Sequence, residues 1–121
     1  MKKIAEILKT VEFESSTVKT QQFKDFARTF KREFKKEFAK VGATNIVFNV
    51  GHFTISGFFT VNGNVFYFSL SDVRDIKFSM TYSSPTMLMR TAESYKDYSG
   101  GTNNYLIIGE HTANEFKAKF L

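Results

Sequence analysis

The sequence contains no cysteine and no tryptophan, a single proline and two histidines. Without cysteine, disulfide frameworks, thiolate metal sites and cysteine nucleophiles are all excluded, and a reducing compartment fits. His52 and His111 stand far apart with no second ligand at helical or hairpin spacing, so neither a metal nor any other cofactor is expected. No run approaches the roughly 20 apolar residues that span a bilayer. The opening MKKIAEILKT starts with basic residues as a signal peptide does, but Glu6 and Lys9 interrupt it and no apolar run follows. The expectation is a cytoplasmic protein with no membrane partner. A Gly-x-Ser-x-Gly elbow and a phosphate-cradling loop ending in Lys-Ser or Lys-Thr are both missing, so no catalytic residue is assigned and the chain is expected not to be an enzyme. One constellation offers an alternative. Asp72, Asp75 and the triplet Glu115-Phe116-Lys117 could build a metal-dependent nuclease, because two carboxylates and a lysine can hold a metal and activate water. Against it, the triplet falls in an expected helix whose phenylalanine is wanted by the core.

What is abundant is phenylalanine, 15 of 121 residues, and positive charge, +5 net. This length suits a single domain spanning residues 1–121 with one core. The stretch Thr20 to Val41 organises it. Phe23, Phe26, Phe30, Phe34, Phe38 and Val41 recur at steps of three and four, which a helix gathers into one stripe. At about 100° per residue, Lys24, Arg28, Lys31 and Lys35 fall along one flank of that stripe and Glu33 and Glu37 along the other. Seven basic and three acidic side chains give this helix most of the net charge. Thr20, Ser16 or Thr17 can cap its start, and Gly42 is a natural stop. A shorter first helix is expected over Lys2 to Phe13, with Ile4, Leu8 and Val11 on one face.

After Gly42 the apolar period changes from 3.6 to 2. Asn62-Gly63 is the pair a two-residue type I′ hairpin prefers, since both central residues need positive φ. Pairing outward sets Phe59 against Phe66, Gly57 against Phe68 and Ile55 against Leu70 on one face. The other face receives Thr60 with Val65, Phe58 with Tyr67 and Ser56 with Ser69. Turn chemistry and hydrophobic alternation choose the same register. Ile46 to Val50 predicts a strand upstream, with a turn at Val50-Gly51-His52, and Ile76 to Tyr82 predicts one downstream. Thr86 to Tyr98 fits either a helix entered through Ser84-Pro85 or a strand at Met87 to Thr91 leading into a loop, and the strand is preferred. Tyr105 to Ile108 predicts a further strand, and Thr112-Ala113-Asn114-Glu115 has the spacing of a capping box for a last helix. The fold class is α+β: an antiparallel β-meander of four to six strands on a long N-terminal amphipathic helix, with short first and last helices.

A pI near 9.5 favours contact with something acidic, such as nucleic acid or an acidic protein groove, although a charged helix back is most often merely solvated. Lys24, Arg28, Lys31 and Lys35 form the first candidate surface, because four like charges within three turns repel one another unless an anion meets them. Phe58 and Tyr67 form a second. They lie on the hairpin face opposite the core, where they can stack bases, support a homodimer, or lie beneath a second layer such as the first or last helix.

The segment Met87 to Asn104, MLMRTAESYKDYSGGTNN, resembles one that recurs, as Arg-Thr-Ala followed by Tyr-Lys-Asp-Tyr and two glycines, in small uncharacterised proteins of bacteriophages and mobile elements. The resemblance covers about eighteen residues. It implies a small accessory protein acting inside a bacterial host, a class that includes inhibitors of host defence such as anti-CRISPR proteins, with a host protein or nucleoprotein complex as partner. Two roles for the segment follow from its residues. Arg90 can pair with Asp97 or Glu93 to brace a loop that Tyr95 and Tyr98 pack down, or Arg90, Tyr95, Lys96 and Tyr98 can form a contact surface for a partner or a nucleic acid.

Overall fold

The computed structural model describes residues 1–13, 20–75 and 84–121. Helices α1 (Lys2–Thr10) and α2 (Thr20–Ala39) precede strands β1 (Thr44–Val50), β2 (Ile55–Val61), β3 (Asn64–Leu70), β4 (Thr86–Ala92) and β5 (Asn104–Ile107), and helix α3 (Thr112–Phe120) closes the chain. Every neighbouring pair is antiparallel and the strand order is β1-β2-β3-β4-β5, an α+β meander. The Ile55–Leu70 hairpin has the register its alternation predicts, with Asn62 at φ 51° and Gly63 at φ 80° in the turn. β4 settles the choice at residues 86–92 for a strand. The strand expected from Ile76 to Tyr82, and the caps expected at Ser16 or Thr17, lie outside the described residues.

α2 lays its phenylalanine stripe on one face of the sheet. Phe34 is fully buried, with ring centroids 4.3 Å from Phe38 and from Phe68, 5.6 Å from Phe48 and 5.8 Å from Phe59. Each such ring contributes about 1.5 to 3 kcal/mol of burial. α1 packs on α2, ending at Thr10 rather than Phe13, because the chain turns extended at Val11 and Phe13 then reaches the Phe26 ring, 5.2 Å away. α3 adds Phe116, which packs on Phe38, Phe59 and Phe66. The packing of these three helices belongs to the Phe34 side of the sheet. α2 stops at Ala39, and Gly42 takes φ 77° to lead into β1.

The capping box expected at α3 is replaced by longer-range contacts. His111 occupies the N-cap without a side-chain bond. The Thr112 hydroxyl accepts the Gly109 N–H at 2.9 Å, and Glu115 accepts the Ile107 N–H. The first-turn donor at Ala113 is met by Glu37 of α2 at 2.8 Å, while the other Glu37 oxygen holds Lys40 at 3.0 Å and the Met1 ammonium at 3.3 Å. This buried carboxylate ties α1, α2 and α3 together. Burial pushes its pKa up, but the Ala113 N–H, Lys40 and the Met1 ammonium outweigh that, so it titrates below the usual carboxylate range. A lowered folded-state pKa means that the stabilisation is present above the unfolded value, about 4.3, and is lost as pH falls through the folded one. Glu37→Gln is therefore expected to lose about 1.5 to 3 kcal/mol at neutral pH. It should also flatten the decline of stability in acid, which urea unfolding at pH 7 and pH 3.5 measures.

Candidate functional site

The face of the sheet opposite α2 is partly roofed by residues 93–101. Tyr95 stacks on Phe58 at 5.6 Å, and its hydroxyl donates to the Asn45 carbonyl at 2.8 Å and lies 2.7 Å from the Thr60 hydroxyl. Tyr98 meets Phe58 and Tyr67 edge-on at 5.2 and 6.1 Å. Phe58 is left 1% exposed, so the stacking surface expected at Phe58 and Tyr67 is occupied from within. The covering layer is the tyrosine loop, not the first or last helix.

Arg90 serves the same assembly. It is 3% exposed, its guanidinium lies 4.4 Å over the Tyr67 ring, and it donates to the carbonyls of Asp97 at 2.6 Å and Thr91 at 3.2 Å. The Asp97 carboxylate accepts the N–H groups of Glu93, Gly100 and Ser99. These bonds, Glu93 first and then Gly100, with the nearby Arg90 charge, hold its pKa below the usual range against an upward push from burial. Gly101 passes at φ 79° with the Thr91 carbonyl 2.6 Å from where a Cβ would stand, so a side chain there would collide. The bracing role expected of Arg90 and Asp97 is present, and of the four residues considered for a contact surface it leaves Lys96 and Tyr98 exposed, the latter by 61%. Arg90→Ala is expected to lower stability by about 3 kcal/mol, since it orphans the polar groups that Arg90 satisfies. An unchanged melting temperature would instead make Arg90 a surface contact.

The basic residues of the α2 flank differ in their surroundings. Arg28 is paired with Asp25 at 3.0 Å. Lys35 lies 5.9 Å from the Phe48 ring of β1, Lys31 is half-buried and Lys24 is exposed. Among the described residues Lys24, Lys31 and Lys35 meet no carboxylate, whereas Arg32, Lys40, Arg74 and Lys119 each have one. Other lysines, Lys2, Lys3 and Lys36, line a hollow of about 250 Å³ that also contains Glu33, Glu37 and Glu110, so its charge is mixed. A larger cleft of about 480 Å³ between α1 and the β5–α3 turn mixes Lys2 and Lys9 with Glu6, Glu110 and Glu115.

Scans against protein-family models, curated proteins and solved structures return no match. The likeness of residues 87–104 to phage and mobile-element proteins therefore stands on those residues alone. The nuclease constellation is not gathered. Asp72 is held by Arg74 at 2.9 Å, Glu115 is bonded to Ile107, and no three of His, Asp and Glu among the described residues stand close enough to hold a metal. No helix among the described residues is long and apolar enough to cross a membrane.

Sequence reasoning missed two contributors. Helical period sets Glu37 on the acidic flank of α2, but nothing local signals its bond to Ala113, 76 positions away. The second is β1, whose exposed side runs beside Lys24 and Lys35. The signal for it in the sequence is the absence of any charged residue from Thr44 to Val50.

Proposed function

We propose that this chain is a small non-enzymatic interaction protein that binds an acidic macromolecular target through the α2 flank. In its most concrete form it is an accessory protein of phage or mobile-element type that docks on a host nucleoprotein complex and blocks it, as anti-CRISPR proteins do. The observation that carries the reading is that Lys24, Lys31 and Lys35 lie along one helix flank with no carboxylate partner among the described residues, while all four arginines, Lys40 and Lys119 have one. Lysines in a row repel one another by a few tenths of a kcal/mol per pair, and an anionic partner relieves that. The site does not depend on the tyrosine loop, which is largely engaged with the sheet.

The test compares the protein with the variant Lys24→Glu, Arg28→Glu, Lys31→Glu, Lys35→Glu. All four side chains are exposed or half-buried, so the fold should survive. A stoichiometric complex from bacterial lysate that the original retains and the variant loses is the expected outcome. Equal recovery by both, or no complex with either, removes the reading. If the target is nucleic acid itself and about four phosphates are neutralised, affinity should fall on the order of 10²-fold between about 50 and 200 mM salt.

A further inference from the structure

The two edges of the sheet are treated differently. At β5, Ile108 donates to Pro85 across the ladder, so the alternation of an antiparallel pair turns the Tyr105 carbonyl and the Ile107 N–H outward. Both are taken by α3: Lys119 donates to the Tyr105 carbonyl at 3.0 Å, and Glu115 accepts the Ile107 N–H at 3.2 Å. That edge is closed. At β1, Gly51 donates to Thr54, so the same alternation directs Val47 and Asn49 at β2 and turns the N–H and C=O of Phe48 and Val50 away from the sheet. No described element covers them. β1 carries no charged residue and no proline, Val47 and Val50 are 43% and 45% exposed, and the ladder irregularity between Thr44 and Val47, where Asn45 takes φ 50°, leaves the half from Val47 to Val50 in regular register. Natural edges are usually guarded by charge, proline or a bulge, because an open one is a template for another strand.

We infer that the β1 edge is a strand-addition site for an extended acidic peptide, selected by the lysines of α2. The inference rests on the reading that the α2 flank binds an acidic target, and adds the target's class and backbone geometry. Four helical residues rise about 6 Å and two strand residues about 6.7 Å, so carboxylates at every second position of an added strand can face lysines spaced along α2. Lys35 sits near Phe48, and Lys24 shares with Val50, Gly51 and His52 a hollow of about 250 Å³ that suits a terminal side chain. The intervening positions fall beside Val47 and Asn49, whose amide reaches the Tyr98 hydroxyl at 3.4 Å, and suit small apolar residues. Main-chain bonds then supply affinity and the alternating side chains supply specificity.

Charge selects among occupants. A second copy paired edge to edge about a two-fold axis would set both α2 helices on one face with their basic flanks opposed. A nucleic acid would satisfy the lysines and leave the outward N–H and C=O groups of β1 unused.

The test measures binding of a labelled peptide that alternates glutamate and valine over about eight residues, a typical strand length. Saturable binding below about 1 mM is expected. Val50→Pro removes one outward N–H from an edge position while keeping every charge and the β2 ladder, and should weaken binding on the order of 10-fold. The N-methylated peptide, which decides the matter should Val50→Pro fail to fold, should bind no better. Lys24→Glu, Lys31→Glu, Lys35→Glu should abolish binding. Loss in the charge variant with full binding by Val50→Pro and by the N-methylated peptide overturns strand addition and leaves the acidic-target reading standing; equal binding throughout removes both. Strand addition is also overturned by no binding at 1 mM, by single-stranded DNA that binds more tightly and ignores Val50→Pro, or by a dimer that Val50→Pro dissociates.

Discussion

Phe34→Ala is expected to unfold this protein more readily than any other phenylalanine truncation on α2. Its ring is fully buried and touches five others, from Phe59 at 5.8 Å to Phe38 and Phe68 at 4.3 Å. Truncation removes the transfer energy of the ring and leaves a cavity between a helix and a sheet that cannot both move in to fill it, at a cost of about 3 to 5 kcal/mol. For a domain of this size that lowers the melting temperature by on the order of 10 to 20 °C. Phe120→Ala is the control, since Phe120 is only half-buried at the end of α3 and meets just Phe66 and Phe116. Thermal melts that rank the two equally would mean that the helix does not seat on the sheet through Phe34.

Gly57→Val is expected to rival it by the opposite mechanism, overpacking. A Cβ at Gly57 would run into the Val47 carbonyl oxygen, and it would stand 2.8 Å from the Phe68 ring. The first obstacle is backbone and the second is a ring fully buried in the core, so neither can yield cheaply. Overpacking of this kind costs about 3 kcal/mol or more, and much of it should appear as separation of β1 from β2. Hydrogen exchange at Val47 and Asn49, whose N–H groups face β2, would report that separation directly. A variant that melts like the original and keeps those amides protected would show that β1 does not approach as closely as described.

Gly57 also illustrates what was legible beforehand. Its position opposite Phe68 follows from the Asn62-Gly63 turn and the count outward from it, because a two-residue turn leaves one register and alternation decides which residues share a face. Hence the room needed for a large ring at Phe68 could be anticipated. The nearness of the Val47 carbonyl could not, since it depends on how β1 lies against β2 near the irregularity in that ladder. The same division holds at the candidate site. The angular position of Lys24, Arg28, Lys31 and Lys35 on α2 is a matter of helical period, but the pairing of Arg28 with Asp25, and the lack of any carboxylate beside the other three among the described residues, depends on side-chain placement. Phe58 and Tyr67 were rightly set on the face away from α2. The layer that covers them comes from residues more than twenty-five positions later, held by Arg90 and Asp97 rather than by any amphipathic pattern.

By itself the chain's pattern of residues determined the long aromatic helix, the central hairpin with its register, the α+β class and the excess of positive charge. Each of these is encoded within a few turns or a few strand residues, where backbone period and turn chemistry act. Tertiary structure alone decided that α3 covers one edge of the sheet while no described element covers the other beside the lysines, and that a buried glutamate joins three helices. Those outcomes depend on contacts between segments far apart in the chain, set by the packing of the whole core, and no local period carries them.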